Sequence, residues 1–480
     1  MCFFKKRVNN NKSQVKTDLP FVPVEDRDIN KEGYISGVYY SNWSPYKPRS
    51  HFPHDINFNQ ISHVFYAFFV IDSKTGRIKS SDTWSDFEMT IEPIRNINSN
   101  RYGKIKLLGC IGELFWLKMD YFRRNNEGFK TIMSVGGWSN RELFPKMVRS
   151  QKKMDQFIES CIDTMFKHGF DGIDLDWEFP KDDGVEPKKY LEIVERLRSG
   201  LNELERSIWG HACNRFHLSV ATPAFEEKLK ILLVNKMNPY INFWNMMTYD
   251  YYGEWSEYTG LHCNLYNGMR QKRIGLQVQY KHDSKSNDET SLNADSAIAY
   301  MRKQYNILSS KLVLGMAMYG RGFTQVSLPK PVSSSLLLND PNTFLKKKFK
   351  GVGGESEGES GIWLYNQLPI PNSKEMFDPD HVAAYCVDVK NKILVGYDNV
   401  NSTLVKSEYI MSNGLAGTFW WESCGNTWDD TSRSLVNTYV KRIKKVNRTQ
   451  HNIYMDKKVQ VYYIERYGKN GFLTELLSNV

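Results

Sequence analysis

Residues 171–178 read Asp171-Gly-Ile-Asp174-Leu-Asp176-Trp-Glu178. Asp174, Asp176 and Glu178 stand at i, i+2 and i+4, so on a β-strand all three carboxylates share one face. Ile173, Leu175 and Trp177 share the other. Acids about 7 Å apart along a strand cannot all ionise cheaply, so at least one is expected to keep a proton near neutral pH. A protonated carboxylic acid beside ionised ones is what general acid catalysis requires. Strand-end acids also serve as metal ligands or loop caps. Here no His is interleaved, and the seven Cys, at positions 2, 110, 161, 213, 263, 386 and 424, form no CxxC pair and no ligand spacing. No metal and no cofactor is therefore expected. The cysteines are expected to be buried free thiols.

A strand that turns three acids to one side needs a scaffold with an interior. Eight short runs rich in β-branched and aromatic residues recur: Tyr34–Tyr40, Ile61–Ile71, Phe129–Gly137, Phe170–Glu178, Phe216–Thr222, Ile241–Tyr249, Lys311–Tyr319 and Gly414–Trp421. Each reads as a strand. Most of the stretches between them have helical periodicity. In Gln151–His168, Met154, Phe157, Ile158, Cys161, Ile162, Met165 and Phe166 form one apolar stripe. Pro187–Trp209 repeats it with Tyr190, Leu191, Val194, Leu197, Leu201 and Leu204. Strand and helix in alternation imply parallel strands joined by crossovers, and eight such units make a (β/α)8 TIM barrel of the α/β class. The acid face is then the barrel interior. Glu178 lies nearest the C-terminal rim, where barrel active sites form, with Asp176 one layer below and Asp174 deeper.

The remaining segments divide the chain. Residues 1–30 are polar and read as a flexible arm, 31–321 and 401–445 as the barrel, and 446–480 as a C-terminal tail. Residues 322–400 carry Pro, Gly and Ser clusters, the acidic loop Gly353–Ser360, and strand-like pieces at Ala383–Val389 and Ile393–Tyr397. They read as a small α+β insertion domain between strands 7 and 8. Ser81–Glu127 is also longer than a plain crossover.

Composition narrows the function. Lys plus Arg number 64 against 54 Asp plus Glu, a net charge of +10. The basic residues are scattered, and their densest clusters, Lys346 to Lys348 and Lys441 to Lys445, read as solvated faces, so no nucleic-acid partner is expected. No apolar run reaches the ~18 residues that span a bilayer. The N-terminus, MCFFKKRVNNNKSQVK, has an apolar stretch too short for a standard secretion signal. Aromatic residues make up 14%, with 12 Trp and 27 Tyr. Such faces stack on sugars or bases, or simply fill a core.

The acid segment resembles the DxxDxDxE signature of glycoside hydrolase family 18, the chitinases. Ser134-Val-Gly-Gly-Trp138 resembles the family's SxGG motif, Met247-Thr-Tyr-Asp250 its MTYD motif, and Met318-Tyr-Gly-Arg321 its YGR motif. Gly417–Glu422 resembles its eighth-strand motif, Tyr39–Trp43 its YxxxW, and Tyr66–Phe68 its YAF. Ser81–Trp84, Leu312–Phe323 and Trp420–Glu422 resemble the fungal class V branch. The resemblance covers about residues 33–440.

The resemblance implies a monomeric hydrolase of β-1,4-linked N-acetylglucosamine polymers, chitin or chitooligosaccharides, acting with retention at the cell wall or outside the cell. It also implies the roles. Glu178 is the acid. Asp176 orients the acetamido N–H, Asp174 shares a proton with Asp176, and Tyr249 holds the acetamido group. Asp250 and Arg321 hold neighbouring hydroxyls. Trp421 is the floor under the reacting sugar, and Tyr39, Trp43, Phe68, Trp138, Met247 and Tyr319 shape the subsites. Trp420, one residue from Trp421, is expected to face the helices. A conventional retaining pair flanks the scissile bond with carboxyls ~5 Å apart, whereas Asp176 and Glu178 approach from one side, which matches the family's use of the substrate's own N-acetyl oxygen as nucleophile. Phe179 departs from the Tyr that often follows the acid. Two rivals share the barrel: a chitin-binding lectin, which typically loses an acid of the motif, and an endo-β-N-acetylglucosaminidase of N-glycans, which usually lacks the insertion. A structural wall protein would not need the acids.

Overall fold

The computed structural model describes residues 22–91, 107–256, 259–267, 292–324, 361–443, 445–469 and 471–478. Eight strands follow one another in the chain: β1 (Ile35–Ser41), β2 (His63–Ile71), β3 (Lys130–Gly136), β4 (Gly172–Asp176), β5 (His217–Pro223), β6 (Phe243–Met247), β7 (Leu312–Ala317) and β8 (Gly417–Trp421). Each pairs in parallel with the next, and β1 pairs with both β2 and β8, so the sheet closes into a barrel. Every strand overlaps one of the eight runs read from the sequence.

Helices α1 (Gly109–Asn125), α2 (Gln151–Lys167), α3 (Glu186–Trp209), α4 (Ala294–Tyr305), α5 (Val400–Ser412) and α6 (Leu435–Ile443) cover the outside. Between β5 and β6 the crossover is reduced to the single turns Glu226–Leu229 and Val234–Met237. The apolar stripes do what their periodicity requires. Met154, Phe157, Ile158, Cys161, Met165 and Phe166 of α2 are buried, and Ser150 caps the helix by accepting the Lys153 N–H. In α3, Pro187 opens the first turn and Gly210, at φ 84°, closes the helix in the left-handed conformation.

Strand parity sorts the core into two layers. Ile173 and Leu175 belong to the outer layer between sheet and helices, as does Trp177, whose ring stacks on Phe144 at 5.0 Å. Tyr39, Phe65, Ile132, Phe243, Val313 and Phe419 fill the interior. Trp420 is fully buried edge-on to Tyr439 of α6, at 5.4 Å, while Trp421 faces inward. Each fully buried apolar side chain of either layer contributes about 1.5–3 kcal/mol.

The insertion between β7 and β8 holds a five-stranded antiparallel sheet ordered Ile362–Leu364, Tyr319–Phe323, Ile393–Tyr397, Ala383–Asp388, Lys374–Asp378. Its second strand starts at Tyr319, only two residues after β7 ends. The sheet is therefore rooted directly on the barrel rim. Among the described residues the only helix before the linker to α5 is the 3-10 turn Tyr365–Gln367. The acidic loop Gly353–Ser360, the Lys346–Lys348 cluster and Cys2 lie outside the described residues. The other six cysteines are free, and all but the half-buried Cys213 are buried. Among the described residues no helix is long and apolar enough to cross a membrane.

Both ends of the described chain close the N-terminal side of the barrel. Residues 22–30, read from sequence as part of a flexible arm, run along it instead: the Val24 N–H donates to Pro239 O and Asn214 Nδ2 to Pro23 O. The tail forms a further helix, α7 (Lys457–Tyr467), and fully buries Tyr454, Val459, Tyr463 and Leu473. The Tyr454 hydroxyl donates to Phe170 O at 2.8 Å, just ahead of β4. Beside it Lys118 of α1, 1% exposed, donates to Asp171 Oδ2 (2.9 Å), Gly169 O (2.6 Å) and Thr131 Oγ1 (3.1 Å), with the Tyr454 ring 4.8 Å from its ammonium. Removing one partner of such a pair strands the other charge in the interior. Lys118→Met is expected to lower unfolding free energy by about 3–5 kcal/mol, read from the denaturant midpoint.

Candidate active site

The three acids occupy three different environments. Asp174, on β4, is fully buried and accepts from four donors: Tyr39 OH (2.9 Å), Ser134 Oγ (2.8 Å), Ser219 Oγ (2.6 Å) and Asn245 Nδ2 (3.3 Å). The donors come from β1, β3, β5 and β6. Register places Ser134 and Ser219 directly beside it. Burial holds its carboxyl above the ordinary range, and the four donors offset part of that rise.

Asp176 has no such set. It is 4% exposed, and its Oδ1 is buried without a hydrogen-bond partner. Burial, then Glu178, then Asp174 drive its carboxyl well above the ordinary range. Glu178 does not lie on the strand, as its spacing suggested. β4 ends at Asp176, because β3 stops opposite Asp176 and β5 is paired with β4 only as far as Leu175. Glu178 therefore stands free of the sheet at the rim, half-buried. Burial first, then Asp250, pushes it up to about 7, against Arg141 and the Trp138 backbone, which lower it.

Two glycines make the close packing possible. Gly136 has φ 128°, and a Cβ there would sit 2.0 Å from Asp176 O. Gly137 has φ 81°, donates its N–H to Asp176 O at 2.9 Å, and would drive a Cβ into the Phe68 ring at 2.5 Å. The SxGG segment thus lets β3 press against the acid strand and the aromatic floor together.

That floor is Trp421, half-buried at the end of β8. Phe68 lies nearly parallel to it, 5.6 Å away and at 20°, and Tyr39 of β1 (5.5 Å) and Trp43 just beyond that strand (6.3 Å) brace it. Phe68 and Tyr39, expected at subsites, are 9% and 2% exposed. Phe68 backs the Trp421 ring, and the Tyr39 hydroxyl is spent on Asp174. Met247 is half-buried among the interior side chains. Tyr249 is 8% exposed, edge-on to Tyr319 and Phe419. Burial, then Asp176, Asp250 and Glu178, raise its phenol well above the usual value, so it stays a neutral donor. Phe179 is half-buried beside Glu178. Trp138 stands 58% exposed beyond β3, with the Arg141 guanidinium 4.0 Å over its ring.

Across the cleft Asp250 faces the acids. Arg321 grips it with Nε to Oδ1 (2.7 Å) and Nη2 to Oδ2 (2.8 Å), and the Tyr319 hydroxyl donates to Oδ1 as well. Burial would raise the Asp250 carboxyl, but Arg321 outweighs it and holds it well below the carboxylate range. The residues singled out from the sequence thus lie at the C-terminal end of the barrel, with Tyr39, Phe68 and Met247 packed in its interior. The structure adds Ser134, Ser219 and Asn245, to which no role had been given, and Trp255, which is 56% exposed with Arg321 4.7 Å from its ring. Asn245 was findable as the lone polar residue of an otherwise apolar strand, whereas Ser219 shares its strand with His217 and Thr222 and gave no such signal.

A closed barrel, an acid of raised pKa at its rim and an aromatic floor agree with the family resemblance, and comparison decides it. The model of glycosyl hydrolases family 18 matches residues 36–426. The chain belongs to this family. Sporulation-specific chitinase 2 of Saccharomyces cerevisiae is 42% identical over 506 residues, spanning 100% of this chain and 93% of its own length. Endochitinase 1 of Metarhizium robertsii is 30% identical over 392 residues, 82% of this chain and 81% of that one. Among solved structures, catalytic domain 2 of the Ostrinia furnacalis Group II chitinase superposes with a TM-score of 0.65 at 21% identity, covering 86% of this chain and 96% of that one. The protein is a glycoside hydrolase on a family 18 barrel.

The Asp176 environment has a measurable cost. In the unfolded chain Asp176 ionises near pH 4; in the folded one it keeps its proton far higher, so the native state binds more protons and loses stability as pH rises above about 4. Asp176→Asn keeps the shape and removes the charge. It is expected to raise Tm at neutral pH and to leave it unchanged at about pH 3, by thermal unfolding at the two pH values.

Proposed function

We propose that the protein is a chitinase that cleaves β-1,4-linked N-acetylglucosamine polymers by substrate-assisted retaining catalysis, in remodelling a fungal cell or spore wall. The observation that carries the mechanism is the placement of the carboxylates. Asp176 and Glu178 come from one strand end and approach a sugar from the same side. The carboxylate opposite, Asp250, is engaged by Arg321 and Tyr319. A nucleophile on the far side of C1 is supplied by the substrate's own acetamido oxygen.

The steps follow from the side chains. Glu178, protonated near neutral pH, gives its proton to the glycosidic oxygen as the C1–O bond breaks. The acetamido oxygen attacks C1 and forms an oxazolinium ion. Asp176 passes its proton towards Asp174, accepts the acetamido N–H on its unpartnered Oδ1, and its carboxylate offsets the positive charge that develops on the ring. Tyr249 steadies the acetamido carbonyl, and Trp421 lies beneath the sugar. Water then opens the ring, giving its proton to Glu178 and restoring the β-configuration. The insertion sheet, rooted at Tyr319, walls one side of the cleft and suits a long linear chain. The intact acids speak against a lectin, and the insertion against an N-glycan endoglycosidase. The 42% identical sporulation-specific relative supports the wall substrate.

Glu178→Gln is expected to lower kcat by roughly 10²–10⁴-fold while binding of chitooligosaccharides persists, by calorimetry and product analysis. With wild type, anomer-resolved products of N-acetylated oligomers should appear first as the β-form, and fully deacetylated chitosan should be a very poor substrate. Near-normal turnover by Glu178→Gln, an α-anomer released first, or comparable rates on chitosan would each refute this reading.

A further inference from the structure

His262 lies on the return loop behind Asp250, with none of its side chain open to solvent. Its Nε2 is 3.2 Å from the backbone oxygen of Tyr319. A carbonyl oxygen only accepts, so Nε2 carries a hydrogen. Its Nδ1 faces Asp250 Oδ1 across 3.6 Å, longer than a full hydrogen bond. In the neutral ring that Nδ1 is a lone pair aimed at a carboxylate. Two acceptors face one imidazole, and only the imidazolium, with both N–H groups present, serves both.

The charged and titratable groups around the ring come from three further elements. Asp250 faces it from the loop after β6, Tyr319 and Arg321 from the strand Tyr319–Phe323 of the insertion sheet, and Asp398 from the turn ahead of α5. Asp398 is itself paired with Lys406 at 2.7 Å. Burial is the largest influence and opposes a second proton; Asp250 favours it, Arg321 opposes it, and Asp398 favours it. The balance puts the second protonation below the usual imidazole range. Asp250 is in turn the leading charge, after burial, that keeps the proton on Glu178.

We propose that His262 is a positioning residue that takes a second proton on Nδ1 as the pH falls and, by pairing with Asp250, withdraws part of Asp250's charge from Glu178. The inference rests on the reading of Glu178 as the acid. Near neutral pH the neutral ring leaves Asp250 at full strength, and Glu178 retains its proton. In acid, where Glu178 is protonated in any case, the imidazolium offsets Asp250 and leaves Glu178 the stronger donor. The device widens the working range of the acid towards low pH.

Two measurements test it. The first is NMR of side-chain 15N-labelled histidines in the substrate-free enzyme, with the His262 signal assigned by its absence from His262→Gln. The expected result is the Nε2–H form at neutral pH and a second protonation below ~6.5. The second is the kcat/KM profile of His262→Gln, whose amide still reaches Tyr319 O and does not titrate. The ratio of kcat/KM at about pH 5 to that at about pH 7 is expected to fall by roughly three- to tenfold against wild type. An Nδ1–H form, a ring that stays neutral down to about pH 4, an unchanged ratio, or an equal loss at every pH would overturn the proposal. The NMR arm needs no turnover, so its failure is distinct from failure of the Glu178→Gln test.

Discussion

Carrying three carboxylates into one barrel interior is the constraint on which the rest of this protein depends. At about 7 Å and an effective dielectric near 20, two ionised acids repel by about 2 kcal/mol, before the cost of taking either out of water. The fold answers by treating each acid differently. Asp174 is given four donors, which offset part of the effect of its burial. Asp176 is given none at one oxygen, and holds a proton. Glu178 is left at the rim, raised only as far as about 7. The three carboxyls of one strand end thus stand in three different environments.

The donors that satisfy Asp174 tie the barrel together. They reach it from β1, β3, β5 and β6, so the deepest acid is a hub on which half the strands converge. Hydrogen bonds to a charged group contribute about 1.5–3 kcal/mol each, which offsets part of the desolvation. β2 and β8 carry the aromatic floor, and it meets the donor strands: Tyr39 touches both Asp174 and Trp421, and Gly137 touches both the Asp176 backbone and Phe68. Acid cluster and aromatic floor are therefore one packed unit, not two sites side by side.

The insertion sheet enters the same network from outside. It begins two residues after β7, and its first contributions are Tyr319 and Arg321, both spent on Asp250. A segment that reads as an added wall thus also sets the charge opposite Glu178, and through His262 makes that charge respond to protons. The N-terminal stretch and the C-terminal helix perform the opposite task at the far end. They close the barrel floor around Lys118 and Asp171, away from the chemistry.

Much of this was legible in the chain because strand periodicity is strict. With a period of two, the spacing of Asp174, Asp176 and Glu178 already fixes their side, and the same parity separates Trp421 from Trp420. The eight β-branched runs and the apolar stripes of α2 and α3 likewise declare the barrel before any coordinate is known. What the sequence alone could not decide depends on neighbours far away in the chain. Ser219 and Asn245 become donors to Asp174 only through the register of β5 and β6. Glu178 leaves the strand only because its flanking strands stop short. Residues 22–30 and 446–478 looked unpatterned because their partners, such as Pro239, Phe170 and Lys167, lie across the barrel. Local spacing determines which way a side chain points; which side chains meet, and hence which acid keeps its proton, is settled only when the sheet closes.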